Sequence, residues 1–181
     1  YPDDLSCLEK DMEKILWAAL VHSPWDNAGQ PDFWKQLREK TLQLRKNTNK
    51  ALMINCGCNL FEWGTFLRRM DNFLMDLYRE ATNVERFLDA IMKIHMETLA
   101  KVCEAVGDIV DIIRFGDDLG MDSGPFMPLD KYRRFFHQHR TQLCDYVKQN
   151  SQMHTFLHTC GSVYKFIPDF IESGIEIINP V

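Results

Sequence analysis

Short apolar segments alternate with longer amphipathic segments along most of the chain, and this alternation restricts the fold more than any other feature. Continuous apolar segments of this length are typical of strands that are buried on both faces. Strands that alternate with helices predict a parallel sheet with right-handed crossovers, and hence an α/β fold. Four segments are predicted to be strands: 51–57, 109–116, 153–160 and 175–179.

Helical periodicity fills the chain around these strands. Two amphipathic helices are predicted before the first strand, over residues 5–21 and 32–44. Apolar side chains then recur every three or four positions over residues 63–77, which predicts one continuous helix. We interpret residues 1–50 as an N-terminal helical segment that packs on residues 51–181, which hold the strands.

The number of strands bears on how the sheet is closed. A (β/α)8 barrel has eight parallel strands and typically about 250 residues. This chain has 181 residues, so a barrel would have about half of its strands outside the chain. The sequence also begins without methionine and stops as a strand-like segment ends. We therefore expect it to be part of a longer protein.

Charge and composition exclude several classes of protein. The net charge is −5 and the basic residues are dispersed among acids, so we expect no nucleic-acid partner. No apolar run approaches the ~20 residues that a membrane span needs, and the N-terminus is unlike a signal peptide. The six cysteines lie within helical or strand patterns, which favours reduced thiols over a secreted disulfide framework. We expect a cytoplasmic protein.

His158 and Cys160 form the most informative pair of side chains. On a strand, residues two apart project from the same face, so the imidazole and the thiol can converge on one ion. Zinc accepts nitrogen and sulfur ligands together, and a catalytic site needs three protein ligands and an open position. The pair would supply two ligands. The alternative is a core histidine bonded to the backbone beside an inert core cysteine.

Two adjacent acids follow the second predicted strand. By strand alternation Asp118 shares a face with Arg114 and Gly116, so Asp118 is predicted to contact substrate as a catalytic group. Asp117 is a second candidate for substrate binding. The alternative is that one of the two carboxylates caps the following turn and the other is solvated.

Polar residues also follow the first predicted strand. Asn59 and Glu62 are candidates for substrate binding from a loop at the mouth of the sheet, although Asn59 could equally cap a helix. Cys56 and Cys58 have C-x-C spacing and are a minor alternative for a third metal ligand, because small residues at a strand end more often serve packing.

A series of motifs occurs in a fixed order after residue 51: Asn59–Glu62, Met70–Tyr78, Arg114–Gly120, Gly124–Met127, Tyr132-Arg133, Phe136, Phe156–Tyr164, Ile167–Asp169 and Gly174–Val181. This series resembles the uroporphyrinogen decarboxylase family. Within that family, the His158-x-Cys160 pair resembles the zinc-dependent, corrinoid-linked methyltransferases rather than the decarboxylases of haem synthesis. Tyr132, which lies in one of these motifs, is a further candidate for substrate binding.

The resemblance implies a TIM barrel whose zinc is held by His158, Cys160 and a further cysteine late in the sequence. It implies that zinc binds a small thiol substrate, and that the methyl group comes from a methylated corrinoid (cobalamin) on a separate protein or domain. The third ligand is absent from the chain unless another of its cysteines serves. The alternatives are a tetrapyrrole decarboxylase that needs no metal and a non-catalytic protein that binds a corrinoid or porphyrin.

Overall fold

The strands form one parallel sheet and one small antiparallel ladder. The computed structural model describes residues 27–180. Its strands are β1 (Met53–Gly57), β2 (Ile112–Gly116), β3 (Gly120–Met121), β4 (Gly124–Pro125), β5 (His154–His158) and β6 (Ile177–Asn179). The parallel sheet has the order β1-β2-β5-β6, and β3 pairs with β4. All four predicted strands are therefore present, and each lies beside the next one along the chain, as in an arc of a barrel.

The helices connect these strands. They are α1 (Phe33–Lys46), α2 (Phe61–Arg68), α3 (Met70–Arg79), α4 (Ala81–Val106), α5 (Leu129–Tyr132), α6 (Gln138–Asn150) and α7 (Ile167–Glu172). A π-helical turn joins α5 to α6. The helix predicted over 32–44 is α1, whereas the one predicted over 5–21 lies outside the described residues. No helix within residues 27–180 is both long and apolar enough to cross a bilayer.

The single helix predicted over residues 63–77 is wrong, because α2 and α3 are separate helices. Arg69 between them has a φ of 70°, which is a left-handed conformation that interrupts the helix. Gly64 allows the two helices to pack closely, since a Cβ at this position would lie 2.2 Å from the ring of Phe73. The apolar periodicity is continuous across this break, so the pattern alone does not reveal it.

The two faces of the parallel sheet differ in their surroundings. Ile113, Phe115 and Leu157 have no exposed surface and belong to the core beneath the helices. The alternating residues Arg114 and His158 are only partly buried. In a closed barrel this second face is the interior, and enzymes of this architecture place their active sites at the carboxyl ends of its strands.

A buried ion pair fixes the carboxyl end of β2. Arg140 of α6 donates to Asp117 Oδ2 at 2.8 Å, and neither side chain has any exposed surface. Asp117 also accepts the backbone N–H groups of Phe61 and Glu62 at 3.2 and 3.0 Å. Burial raises the pKa of Asp117, and the charge of Arg140 opposes this shift. The pair therefore joins β2, α2 and α6 at one point.

Loss of one partner of this pair should be strongly destabilising. We expect Arg140→Met to lower the free energy of unfolding by about 3–5 kcal/mol, because it leaves the Asp117 carboxylate buried without its partner. Arg69→Met, which removes an exposed pair with Asp71, is the matched control and should cost less than about 1 kcal/mol. Urea denaturation of the complete protein measures both values. Equal losses would contradict the importance assigned to the buried pair.

Candidate metal centre

Three potential ligands meet at the carboxyl ends of β2 and β5. Cys160 Sγ lies 3.4 Å from His158 Nε2, and Asp118 Oδ1 lies 3.9 Å from the same nitrogen. The ligand atoms of these three residues all lie within 4.8 Å of one another. Among the described residues 27–180, Asp118, His158 and Cys160 form a group that could hold a metal ion.

The spacing of the nitrogen and the sulfur fits a tetrahedral zinc ion. Zn–N bonds of about 2.0–2.1 Å and Zn–S bonds of about 2.3 Å, at a tetrahedral angle, require the two ligand atoms to be about 3.5 Å apart. The observed separation of 3.4 Å between His158 and Cys160 agrees with this value. A donor set of imidazole, thiolate and carboxylate is also one that zinc accepts.

Close contact between two loops places Asp118 next to Cys160. Gly161 has a φ of 78°, and a Cβ there would lie 2.2 Å from the carbonyl group of Gly120. The Gly120 N–H donates to the Cys160 carbonyl at 3.2 Å, and the Cys160 N–H donates to Asp118 Oδ1 at 2.8 Å. The two glycines therefore allow the ends of β2 and β5 to approach until the carboxylate and the thiol share one site.

Desolvation and the neighbouring acids oppose the ionisation of Cys160. Desolvation, followed by the hydrogen bond and the negative charge of Asp118, raises the pKa of Cys160. The charge of Glu62 acts in the same direction, and that of Arg114 acts against it. A bound divalent cation would reverse this balance and favour the thiolate, which is the form that binds metal.

Asn59, in the loop from β1 to α2, and Glu62, in the first turn of α2, lie at the same mouth. Glu62 Oε2 accepts the Asp118 N–H at 3.1 Å and also accepts the side-chain amide of Asn59. Burial, and then the charge of Asp117, raises the pKa of Glu62. Asn59 does not cap α2, because Leu60 occupies that position. Its backbone carbonyl instead accepts a hydrogen bond from His95 Nε2 at 2.7 Å.

Two residues predicted to bind substrate do not reach this mouth. The sequence suggests a substrate contact for Asp117, but the structure buries its carboxylate against Arg140. The sequence suggests the same for Tyr132, which instead has no exposed surface and stacks on Phe166 with a centroid distance of 4.6 Å. Both predicted substrate contacts are therefore wrong, because each side chain packs in the core between the sheet and its helices.

Cys56 and Cys58 are also separate from the cluster. Both are buried, and their sulfur atoms lie 3.6 Å apart. Neither belongs to the group formed by Asp118, His158 and Cys160. The structure therefore gives no support to the alternative in which this C-x-C pair supplies the third ligand.

Two polar residues near the centre were not identified from the sequence. Asn179 Oδ1 lies 2.9 Å from His158 Nδ1, because these two residues are partners in the parallel pairing of β5 and β6. Arg114 projects from the same face as His158 and donates to Asn55 Oδ1 at 3.0 Å. Both residues lie on predicted strands, but the sequence does not show which residues of neighbouring strands are paired.

A methyl group added at Gly161 should separate the two loops. We expect Gly161→Ala to weaken zinc binding and to cost about 1–3 kcal/mol of stability, because its backbone conformation is strained for alanine and its Cβ meets Gly120. Titration of the complete protein with zinc against a chromophoric chelator measures the affinity. Gly29→Ala is the control, since no heavy atom lies within 4 Å of its added Cβ. Wild-type zinc affinity in Gly161→Ala would contradict the role given to this contact.

Comparisons with known proteins identify the family. The family model described as Uroporphyrinogen decarboxylase (URO-D) matches residues 36–180. A solved structure of a methyltransferase from Methanosarcina mazei superposes with a TM-score of 0.60 at 17% sequence identity. The match covers 78% of this chain and 40% of that one, so the chain spans less than half the length of its structural neighbour. A search of curated proteins gave no match. The four-stranded parallel sheet is an arc of the TIM barrel of this family, and the chain belongs to the uroporphyrinogen decarboxylase family.

Proposed function

We propose that the protein is a zinc-dependent methyltransferase that moves a methyl group from a methylated corrinoid to the sulfur of a small thiol. The observation that carries the proposal is the 3.4 Å approach of Cys160 Sγ to His158 Nε2 at the mouth of the barrel. A methylated cobalamin, held by a corrinoid protein or domain, would supply the methyl group. The thiol would be the second substrate.

His158 and Cys160 are the two zinc ligands in this proposal. His158 is the last residue of β5 and Cys160 follows two residues later, so both side chains belong to the carboxyl end of one strand and the segment that leaves it. A zinc ion held by these two residues would favour the thiolate form of a substrate thiol, which is a strong nucleophile near neutral pH.

Asp118 is the group placed to take the proton of the incoming thiol. The Cys160 N–H holds its Oδ1 at 2.8 Å, and this fixes the carboxylate beside the ligand sulfur. The side chain of Asp118 is 39% exposed, so a substrate that enters the mouth can reach it. Glu62 supports this position because it accepts the Asp118 backbone N–H. A general base placed in this way contributes about 10²–10⁴-fold to a rate.

Two other functions fit the family. A tetrapyrrole decarboxylase would need no metal and would bind substrate carboxylates through arginines. Arg114, on the inner face of β2, is a residue that could serve it. A non-catalytic corrinoid- or porphyrin-binding protein would use the cavity alone. We favour methyl transfer because neither alternative uses the adjacent imidazole and thiol.

Removal of either ligand should remove both the metal and the activity. We expect the complete protein to bind about one zinc ion per chain, and His158→Ala and Cys160→Ser to lose it. Metal analysis gives the zinc content, and mass spectrometry of the thioether product measures methyl transfer from methylcobalamin to a thiol. His154→Ala is the control, because His154 lies on the same face of β5 but pairs with Glu176 at 3.1 Å. A metal-free wild-type protein that decarboxylates uroporphyrinogen would overturn the proposal, and so would tight tetrapyrrole binding without turnover.

Replacement of Asp118 should separate its role from that of the ligands. Asp118→Asn keeps an oxygen that can accept the Cys160 N–H but cannot take a proton at neutral pH. We expect this variant to retain zinc and to lower the rate of methyl transfer by about 10²–10⁴-fold. The rate and the zinc content are measured on the same preparation. Loss of zinc would make Asp118 a ligand, and an unchanged rate would remove it from the reaction.

A further inference from the structure

The second ring nitrogen of His158 is held by a residue of the neighbouring strand. His158 and Asn179 are partners in the parallel pairing of β5 and β6. Asn179 Oδ1 lies 2.9 Å from His158 Nδ1, and the Asn179 carbonyl accepts the Thr159 N–H at 3.0 Å. The side-chain contact is thus built on a backbone hydrogen bond one residue away. This backbone bond limits the freedom of both side chains.

This contact decides which ring nitrogen is free. An amide oxygen can only accept, so His158 Nδ1 must carry the proton that it donates to Asn179. A neutral imidazole has one protonated nitrogen, and Nε2 therefore keeps its lone pair. Nε2 is the nitrogen that lies 3.4 Å from Cys160 Sγ. The hydrogen bond and the metal-binding geometry require the same tautomer.

We propose that Asn179 is a positioning residue of the metal centre, which holds the ring of His158 in the tautomer and orientation that zinc requires. The inference rests on the proposed zinc site and adds a residue to it. Acceptors that hold the second nitrogen of a ligating histidine commonly raise metal affinity, and their loss weakens it about 10–100-fold. Asn179 is such an acceptor, because its side-chain oxygen lies within hydrogen-bond distance of His158 Nδ1 and the pairing of β5 with β6 sets the two residues side by side.

The chain contains a matched comparison on the same two strands. His154 Nδ1 lies 3.1 Å from Glu176 Oε1, so a second histidine of β5 is bonded in the same way to a residue next to β6. His154 is not part of the ligand cluster. Glu176→Ala therefore removes an equivalent acceptor without touching a ligand, and it should leave zinc affinity unchanged.

The charge of the acceptor at position 179 can be changed in a second variant. Asn179 is neutral, so it orients the ring without adding a negative charge beside Asp118. Asn179→Asp keeps an acceptor oxygen and makes it charged, which should increase the basicity of His158 towards the metal. We expect zinc to bind more tightly to Asn179→Asp than to the wild type, when measured above the pH range in which histidine titrates.

Zinc affinity and the histidine tautomer test the inference together. The complete protein and its variants are titrated with zinc against a chelator, and Asn179→Ala should bind about 10–100-fold more weakly. In the metal-free protein, labelled with ¹⁵N-histidine, the His158 signals should show a proton on Nδ1 in the wild type. Asn179→Ala should lose this preference. If the alanine variant does not fold, Asn179→Leu removes the acceptor with a side chain of similar size.

The outcomes separate this inference from the function on which it rests. If His158→Ala loses zinc but Asn179→Ala binds it with wild-type affinity, the metal site stands and the role of Asn179 is refuted. Weaker binding by Asn179→Asp, or a wild-type tautomer in Asn179→Ala, refutes that role as well. If the wild type itself binds no zinc, the proposed function fails and the inference fails with it.

Discussion

The buried ion pair between Asp117 and Arg140 determines which side chain at the carboxyl end of β2 faces the core and which faces the mouth. A carboxylate inside a protein is stable only when its charge and hydrogen-bonding groups are matched, and Asp117 meets this condition through Arg140 and two backbone N–H groups. Because neighbours on an extended chain point in opposite directions, burial of Asp117 turns Asp118 towards the mouth. The position of the Asp118 carboxylate therefore depends on an ion pair that is itself fully buried.

The site also depends on strand register. Gly116 of β2 is paired with His158 of β5, and His158 is paired with Asn179 of β6. This register places His158 beside Asn179 and leaves the space next to His158 open at Gly116, and the Gly120–Gly161 contact brings Asp118 to Cys160 just beyond the strand ends. A shift of one residue in either pairing would turn His158 or Asn179 to the helical face, where the packed core has no room for it.

The sequence predicts which segments are strands, and which side chains share a face, better than it predicts which distant residues are in contact. Alternation predicts that His158 and Cys160 share a face and that Asp117 and Asp118 diverge; in the structure His158 and Cys160 approach to 3.4 Å, and Asp117 is buried while Asp118 is partly exposed. The break at Arg69 was missed, since it depends on a backbone conformation that the apolar pattern does not record. The burial of Asp117 was missed because its partner, Arg140, is distant in the sequence. The contact between Asn179 and His158 was missed for the same reason.

The surroundings of Cys160 and Glu62 disfavour additional negative charge at the mouth. The pKa of Cys160 is raised by desolvation and by Asp118, and the pKa of Glu62 is raised by burial and by Asp117. Both shifts favour the neutral form of the side chain. The positive charge of Arg114 opposes the shift of Cys160 but does not reverse it. The divalent ion that we propose for this mouth would act in the opposite direction, because a nearby cation favours the thiolate form of Cys160.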